Sequence, residues 1–242
     1  MVEIPVPYEY DGRKFEGMLV YDDSVSAQRP AVFMQPDWFG VCRHTIDMAS
    51  EVAGQDYVVM MADMYGAGYG KKEKTVEELG TSARGVRGDL PFILGCGAMA
   101  HKTLTAEANQ LRVIDTAKMG AIGYCMGGGF ALEQARAGAD FQGTVVFHVT
   151  APNPVRPNRK PKFKGRVLAL HGSADPVTPA PQMEALVAEL TEAKADWQVM
   201  MFGHAAHSFT IEGANNPPGQ IYDEKLCRQS YRMMRDFFAE IF

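Results

Sequence analysis

Apolar and polar residues alternate with a period of two over residues 4–10 and again over 14–21, on either side of Asp11-Gly12. An Asp-Gly pair between alternating runs predicts a β-hairpin. Residues 31–34 form a short continuous apolar run, expected to be a buried strand. Apolar positions at helical spacing over 45–53, ended by Gly54, predict a helix. A second buried strand is expected over 57–62, leading into Asp63, and a loop over 66–70. Residues 71–98 mix charge, glycine and Pro91 and yield no clear elements. Beyond them the pattern predicts a helix over 105–117, a strand over 119–122 and a helix over 130–137. Apolar runs at 144–149, 166–170 and 197–202 read as strands, and 182–193 and 223–238 as helices. Repeated strand–helix alternation implies an α/β fold with a largely parallel sheet covered on both faces.

A chain of 242 residues suits one such domain and is short for two. The proline-rich stretch 152–161 is expected to be an excursion within that domain, and its Arg156-Pro157-Asn158-Arg159-Lys160 run a solvated loop. A net charge of −5 argues against nucleic acid or an anionic membrane as the main partner. The amino terminus carries no basic-then-apolar secretory pattern, and no apolar run is long enough to span a bilayer. Four scattered cysteines (Cys42, Cys96, Cys125 and Cys227) suggest neither a disulfide framework nor a zinc site, and a cytoplasmic location is expected.

The chemistry concentrates at Gly123-Tyr124-Cys125-Met126-Gly127, between an apolar run and a helical segment. This is the spacing of a nucleophile elbow with sulfur in place of serine oxygen. Glycine on either side is expected where a Cβ would crowd the neighbouring strand and helix. The helix start directs free N–H groups and its positive dipole end at the sulfur, favouring thiolate over thiol. A buried structural cysteine in a glycine-packed turn is the plainer alternative.

A cysteine nucleophile needs a base in reach and a carboxylate to orient that base. On an elbow fold these follow in the order nucleophile, acid, histidine, on loops after late strands. Asp175 stands after one expected strand, in His171-Gly172-Ser173-Ala174-Asp175-Pro176. His207 stands after another, in Gly203-His204-Ala205-Ala206-His207. Asp175 before proline is also an ordinary turn former, and His204 offers an alternative base. Asp140 and Asp196 are late carboxylates that do not follow a strand at its carboxyl end. His44, His101, His148 and His171 read as structural or surface residues. A metal pair at His204 and His207 lacks the glutamate of a zinc-protease helix. Gly127-Gly128-Gly129 lacks the Lys-Ser/Thr of a phosphate loop.

Taken together, the elbow, His171-to-Pro176 and His207-Ser208-Phe209 resemble the dienelactone hydrolase family of α/β-hydrolases. Gln35-Pro36-Asp37-Trp38-Phe39-Gly40 and Ala62-Asp63-Met64-Tyr65-Gly66 match two further signatures of that family. The resemblance implies a triad of Cys125, His207 and Asp175, acting on a small ester or lactone without cofactor or metal. It implies an activating acid at Asp37, one methylene shorter than the usual glutamate, and oxyanion donors at the backbone N–H groups of Trp38 and Met126. Family lactonases hold a substrate carboxylate with arginines; one such position is Ile211 here, and Arg84 and Arg87 lie in the region of another. An aliphatic Ile211 points away from an anionic lactone and toward a more apolar ester, lactone or other acyl compound. A thioesterase, a general esterase or a non-catalytic thiol redox or binding protein on the same scaffold are the rival readings.

Overall fold

The structure, a computed structural model, describes residues 1–150 and 160–242; the proline-rich run from 152 and the basic run from Arg156 fall almost wholly outside them. The described residues group into two compact units, Met1–Ala121 and Ile122–Phe242.

In the first unit β1 (Val2–Tyr10) and β2 (Arg13–Tyr21) pair antiparallel from Val2↔Tyr21 to Tyr10↔Arg13. The turn between them has positive φ at both central residues, 51° at Asp11 and 69° at Gly12. That matches the twist of the strands, as the Asp-Gly pair predicts. β3 (Arg29–Gln35) runs parallel to β4 (Val58–Met61), which also pairs antiparallel with β2. Between them lies α1 (Arg43–Ala53), whose start is fixed by the Cys42 N–H donating to Thr45 Oγ1 at 3.0 Å. After β4, Asp63 holds its own loop: Oδ1 accepts the N–H groups of Tyr65 (2.9 Å) and Gly66 (3.0 Å), and Oδ2 that of Glu16 (3.1 Å). The Ala62-to-Gly66 signature is therefore a fastening of backbone. The 66–70 loop carries a short 3₁₀ turn at its end, Tyr69–Lys71.

The 71–98 stretch, unreadable as a pattern, contains α2 (Val76–Gly88) and most of α3 (Leu90–Gln110). A reciprocal box of Thr75 and Glu78 starts α2, and Asp89 caps α3 by accepting the Phe92 N–H. Pro91 sits in the first turn of α3, where its missing N–H costs nothing. The expected helix over 105–117 is corrected at its end. It stops at Gln110, Arg112 turns left-handed at φ 55°, and β5 (Ile114–Tyr124) has begun by Ile114.

β5 runs across the border between the units. Behind it come α4 (Met126–Arg136), β6 (Gly143–Phe147), β7 (Arg166–Gly172), α5 (Ala180–Glu192), β8 (Trp197–Phe202) and α6 (Glu224–Ala239). A small hairpin, β9 (Asn215–Asn216) with β10 (Gln220–Ile221), lies between β8 and α6. The helix expected over 130–137 starts earlier, at Met126, directly on the elbow. β6, β7 and β8 are parallel, with Phe147↔Leu170 and Gly172↔Phe202 at their carboxyl ends. The eight long strands follow the order β1-β2-β4-β3-β5-β6-β7-β8, a mixed and mostly parallel sheet of the α/β-hydrolase kind. Ala131 and Leu132 of α4, Leu186 and Leu190 of α5, and Val146 and Ala169 of the sheet share one buried cluster. Arg136 fastens the same two helices, giving two bonds to Glu189 (2.8 and 2.7 Å) and one to Glu133 (2.9 Å). Among the described residues no helix is long and apolar enough to cross a membrane.

Candidate active site

Cys125 stands between the end of β5 and the first residue of α4, with φ 53° and ψ −119°. Such backbone is costly for a non-glycine residue and persists only where its surroundings impose it. The Cys125 N–H donates to Phe147 O at 3.1 Å, and its carbonyl accepts the N–H groups of Gly128 (3.1 Å) and Thr150 (2.9 Å). Gly123 is required: a Cβ there would lie 2.4 Å from Gly127 O. As the N-cap of α4, Cys125 faces the orphan N–H groups and positive end of that helix.

Asp175 and His207 sit on the loops after β7 and β8. These loops are joined by the Ser173 N–H to Phe202 O and the Ala174 N–H to Ala205 O, both at 2.9 Å. Gly172 permits this closeness, since a Cβ there would lie 2.3 Å from Ala205 O. His207 is pinned by its N–H to Gly219 O and by its carbonyl, which accepts the Ile221 N–H, each at 3.0 Å.

The three side chains meet. His207 Nε2 lies 3.1 Å from Cys125 Sγ, and Nδ1 lies 2.7 Å from Asp175 Oδ2. All three residues are buried. The turn-forming and orienting readings of Asp175 coexist on one carboxylate: Oδ1 accepts the N–H groups of Val177 (2.7 Å) and Thr178 (3.1 Å), leaving Oδ2 for the imidazole. Burial alone would lower the His207 pKa, but the Cys125 sulfur and the Asp175 carboxylate outweigh it and push the imidazole up to about 10. His204 is exposed with φ 63°, its N–H bonded to Ser173 Oγ, and takes no part in the relay.

Two histidines read as structural or surface residues are buried against this relay. His148 packs edge-to-face on His207 with centroids 5.1 Å apart and pairs Nε2 with Thr210 Oγ1 at 2.7 Å. His171 donates from Nε2 to Thr178 O at 2.8 Å and lies 3.7 Å from Asp175 Oδ2. Burial lowers the pKa of both, so both rings stay neutral beside His207. His148 belongs to no motif, and His171 opens the His171-to-Pro176 signature without any signal there that its ring packs beside Asp175. Among the described residues no group of three or more His, Cys, Asp or Glu is arranged to hold a metal ion.

The family model described as "Dienelactone hydrolase family" matches residues 15–242. The chain belongs to the dienelactone hydrolase family. Two solved structures are similar over 100% of this chain and 98% of theirs. One, named m3DLH, is 31% identical with a TM-score of 0.90. The other, a dienelactone hydrolase-like promiscuous phosphotriesterase from metagenomic libraries, is 30% identical with a TM-score of 0.89. Among named relatives, a "Putative carboxymethylenebutenolidase" of Yersinia pestis is 24% identical over 95% of this chain and 85% of its own length. A protein of the same name from Saccharolobus solfataricus is 27% identical over 51% of this chain, which spans under half (45%) of that relative.

The remaining positions implied by the family pattern fall as follows. Asp37 is buried after β3; its Oδ1 accepts the Phe39 N–H at 2.9 Å and its Oδ2 lies 3.8 Å from His44 Nε2. Trp38 follows it, half-buried, its carbonyl accepting the Tyr69 hydroxyl at 3.3 Å. Met126 is the first residue of α4, so its N–H has no acceptor within the helix. Arg84 and Arg87 lie on α2, with Arg84 exposed and bonded to Thr81 Oγ1. Ile211 is buried in the segment after His207, its N–H donating to Ser208 O at 2.9 Å.

Proposed function

We propose that the chain hydrolyses a small carboxylic ester or lactone through a thioester on Cys125. The observation that carries this reading is the buried line of Cys125 Sγ, His207 and Asp175, with contacts of 3.1 and 2.7 Å. The sulfur attacks the acyl carbon as thiolate. The imidazolium of His207 then protonates the departing alkoxide as the C–O bond breaks. Water adds to the thioester, giving one proton back to His207, and the S–C bond breaks to return the thiolate and release the acid. Asp175 fixes the Nδ1–H tautomer and stabilises the imidazolium. The Met126 N–H is proposed as an oxyanion donor; the family pattern alone assigns the Trp38 N–H as the second, and Asp37 as the activating acid.

The substrate proposed is neutral around the acyl group. Ile211, buried and aliphatic, stands where the family pattern has an arginine for a carboxylate, and Arg84 and Arg87 are kept only as candidates for a more distant polar group. The four free cysteines suit a reducing compartment such as the cytoplasm. The test is a kcat/KM panel of activated ester, alkyl ester, lactone, thioester and phosphotriester for the native chain and Cys125→Ala. Native turnover should be greatest for a neutral ester or lactone and fall by about 10⁴-fold or more in the variant. Unchanged turnover in the variant would remove the nucleophile.

A further inference from the structure

Among the described residues, the Cys125 sulfur has two hydrogen-bond partners. Besides His207 Nε2 at 3.1 Å, the Thr150 hydroxyl lies 3.2 Å from Sγ. Thr150 is buried, and backbone rather than a flexible arm sets its place. Its N–H donates to the Cys125 carbonyl at 2.9 Å, and the His148 N–H two residues earlier donates to Leu170 O at 2.8 Å. Between them, the Val149 carbonyl accepts the Thr178 hydroxyl at 2.7 Å. The segment carrying Thr150 is thus bonded to the elbow on one side and to the Asp175 loop on the other. A β-branched side chain on such a backbone has few rotamers to choose from.

The direction of the bond follows from the neighbours. His207 Nδ1 faces a carboxylate at 2.7 Å and carries a proton, and an imidazole held charged between sulfur and carboxylate carries its second proton on Nε2. As the attacking thiolate of the proposed mechanism, the sulfur accepts from Nε2–H and has no hydrogen to give. The hydroxyl is then the donor.

We propose that Thr150 is a further catalytic residue, donating its O–H to Cys125 Sγ and stabilising the thiolate before attack and again when it leaves the thioester. This rests on Cys125 being the nucleophile. Thr150 keeps its own proton throughout: the attacking pair comes from sulfur and returns to it when the S–C bond breaks, and the water's proton goes to His207. Hydrogen bonds to an ionised partner are about twice as strong as neutral ones, so the hydroxyl favours the charged sulfur over the acylated one.

Thr150→Val removes the hydroxyl with little change of shape, and Thr150→Ser restores it. The experiment measures alkylation of Cys125 by iodoacetamide from acidic to alkaline pH, together with kcat/KM for an activated ester. The neighbouring groups that titrate or carry charge in this unit, His207, Asp175, His148 and His171, are the same in all three proteins. The valine variant should alkylate about tenfold more slowly at neutral pH and reach the native rate at alkaline pH, where the sulfur ionises regardless. Its kcat/KM should fall by a similar factor, and the serine variant should recover most of both. Unchanged or faster neutral alkylation in the valine variant would overturn the proposal, making the hydroxyl an acceptor or a bystander. If Thr150→Val lowers the melting temperature, the comparison of Thr150→Ala with Thr150→Ser decides by the same readout. Cys125→Ala in the same series separates the two claims. Labelling and turnover that survive it sink the nucleophile, whereas their loss beside a native-like valine variant sinks only the hydroxyl.

Discussion

Asp175 divides its work between two oxygens, one holding the turn and one facing His207 Nδ1. Asp175→Asn keeps the shape and the turn acceptor but replaces the imidazole's acceptor with an amide that can impose the other tautomer. By analogy with the serine triad, kcat should drop by about 10⁴-fold with little change in melting temperature. A drop of less than tenfold would show that the carboxylate is dispensable. His207 also sets a pH limit. Its proton, held up to about 10, is the one proposed to pass to the leaving alkoxide. The kcat/KM for an alkyl ester should therefore fall as pH rises through about 10, while an aryl ester, whose leaving group needs no proton, should fall less. Equal profiles for the two would contradict the acid role of His207.

At the scale of elements, two close approaches decide where the chemistry sits. Gly123→Ala would place a Cβ 2.4 Å from Gly127 O, between β5 and α4, where backbone rather than a flexible side chain must yield. The variant should lose about 1–3 kcal/mol in urea unfolding or fail to fold; an unchanged midpoint would contradict the elbow geometry. These features were legible because they impose residue types at fixed spacing: glycine around the nucleophile, and an acid and a histidine just after strands. β8, Trp197–Phe202, falls on its expected bounds because its pattern is local. α2 and α3 were not legible, since Gly80, Gly85 and Gly88 depress helix propensity and Pro91 reads as a break. Their stability comes from packing and from caps, and the Thr75-to-Glu78 spacing and the Asp89-to-Pro91 start were the available signals. The end of α3 was overrun because a left-handed arginine, not a glycine, terminates it. Thr150 and His148 escaped because strand register brings them beside Cys125 and His207 without any shared motif, and His171 because the signature it shares with Asp175 does not show which way its ring packs.

At the scale of the whole molecule, buried imidazoles shape stability against pH. His207 has a raised pKa when folded, so its contribution is complete below about 6.5, the unfolded value, and is lost as pH rises toward about 10. His148 and His171 have lowered values, so the unfolded chain takes up protons that the folded one refuses, and their contribution is lost as pH falls below about 6.5. Urea unfolding should show greatest stability near neutrality on this account, with the alkaline decline flattened in His207→Asn; a native-like decline in that variant would assign it to other groups. We also propose that the 242 residues form one cooperative domain, since β5 contributes residues to both compact units; two separate urea transitions would contradict this. The most direct measurement of the central claim is the intact mass of the protein quenched during turnover of an activated ester, followed by peptide mapping. A single acyl group on the Cys125 peptide, absent in Cys125→Ala and slow to leave in His207→Asn, is the predicted result. Turnover with no adduct under rapid quenching, or an adduct on Cys42, Cys96 or Cys227 instead, would contradict it.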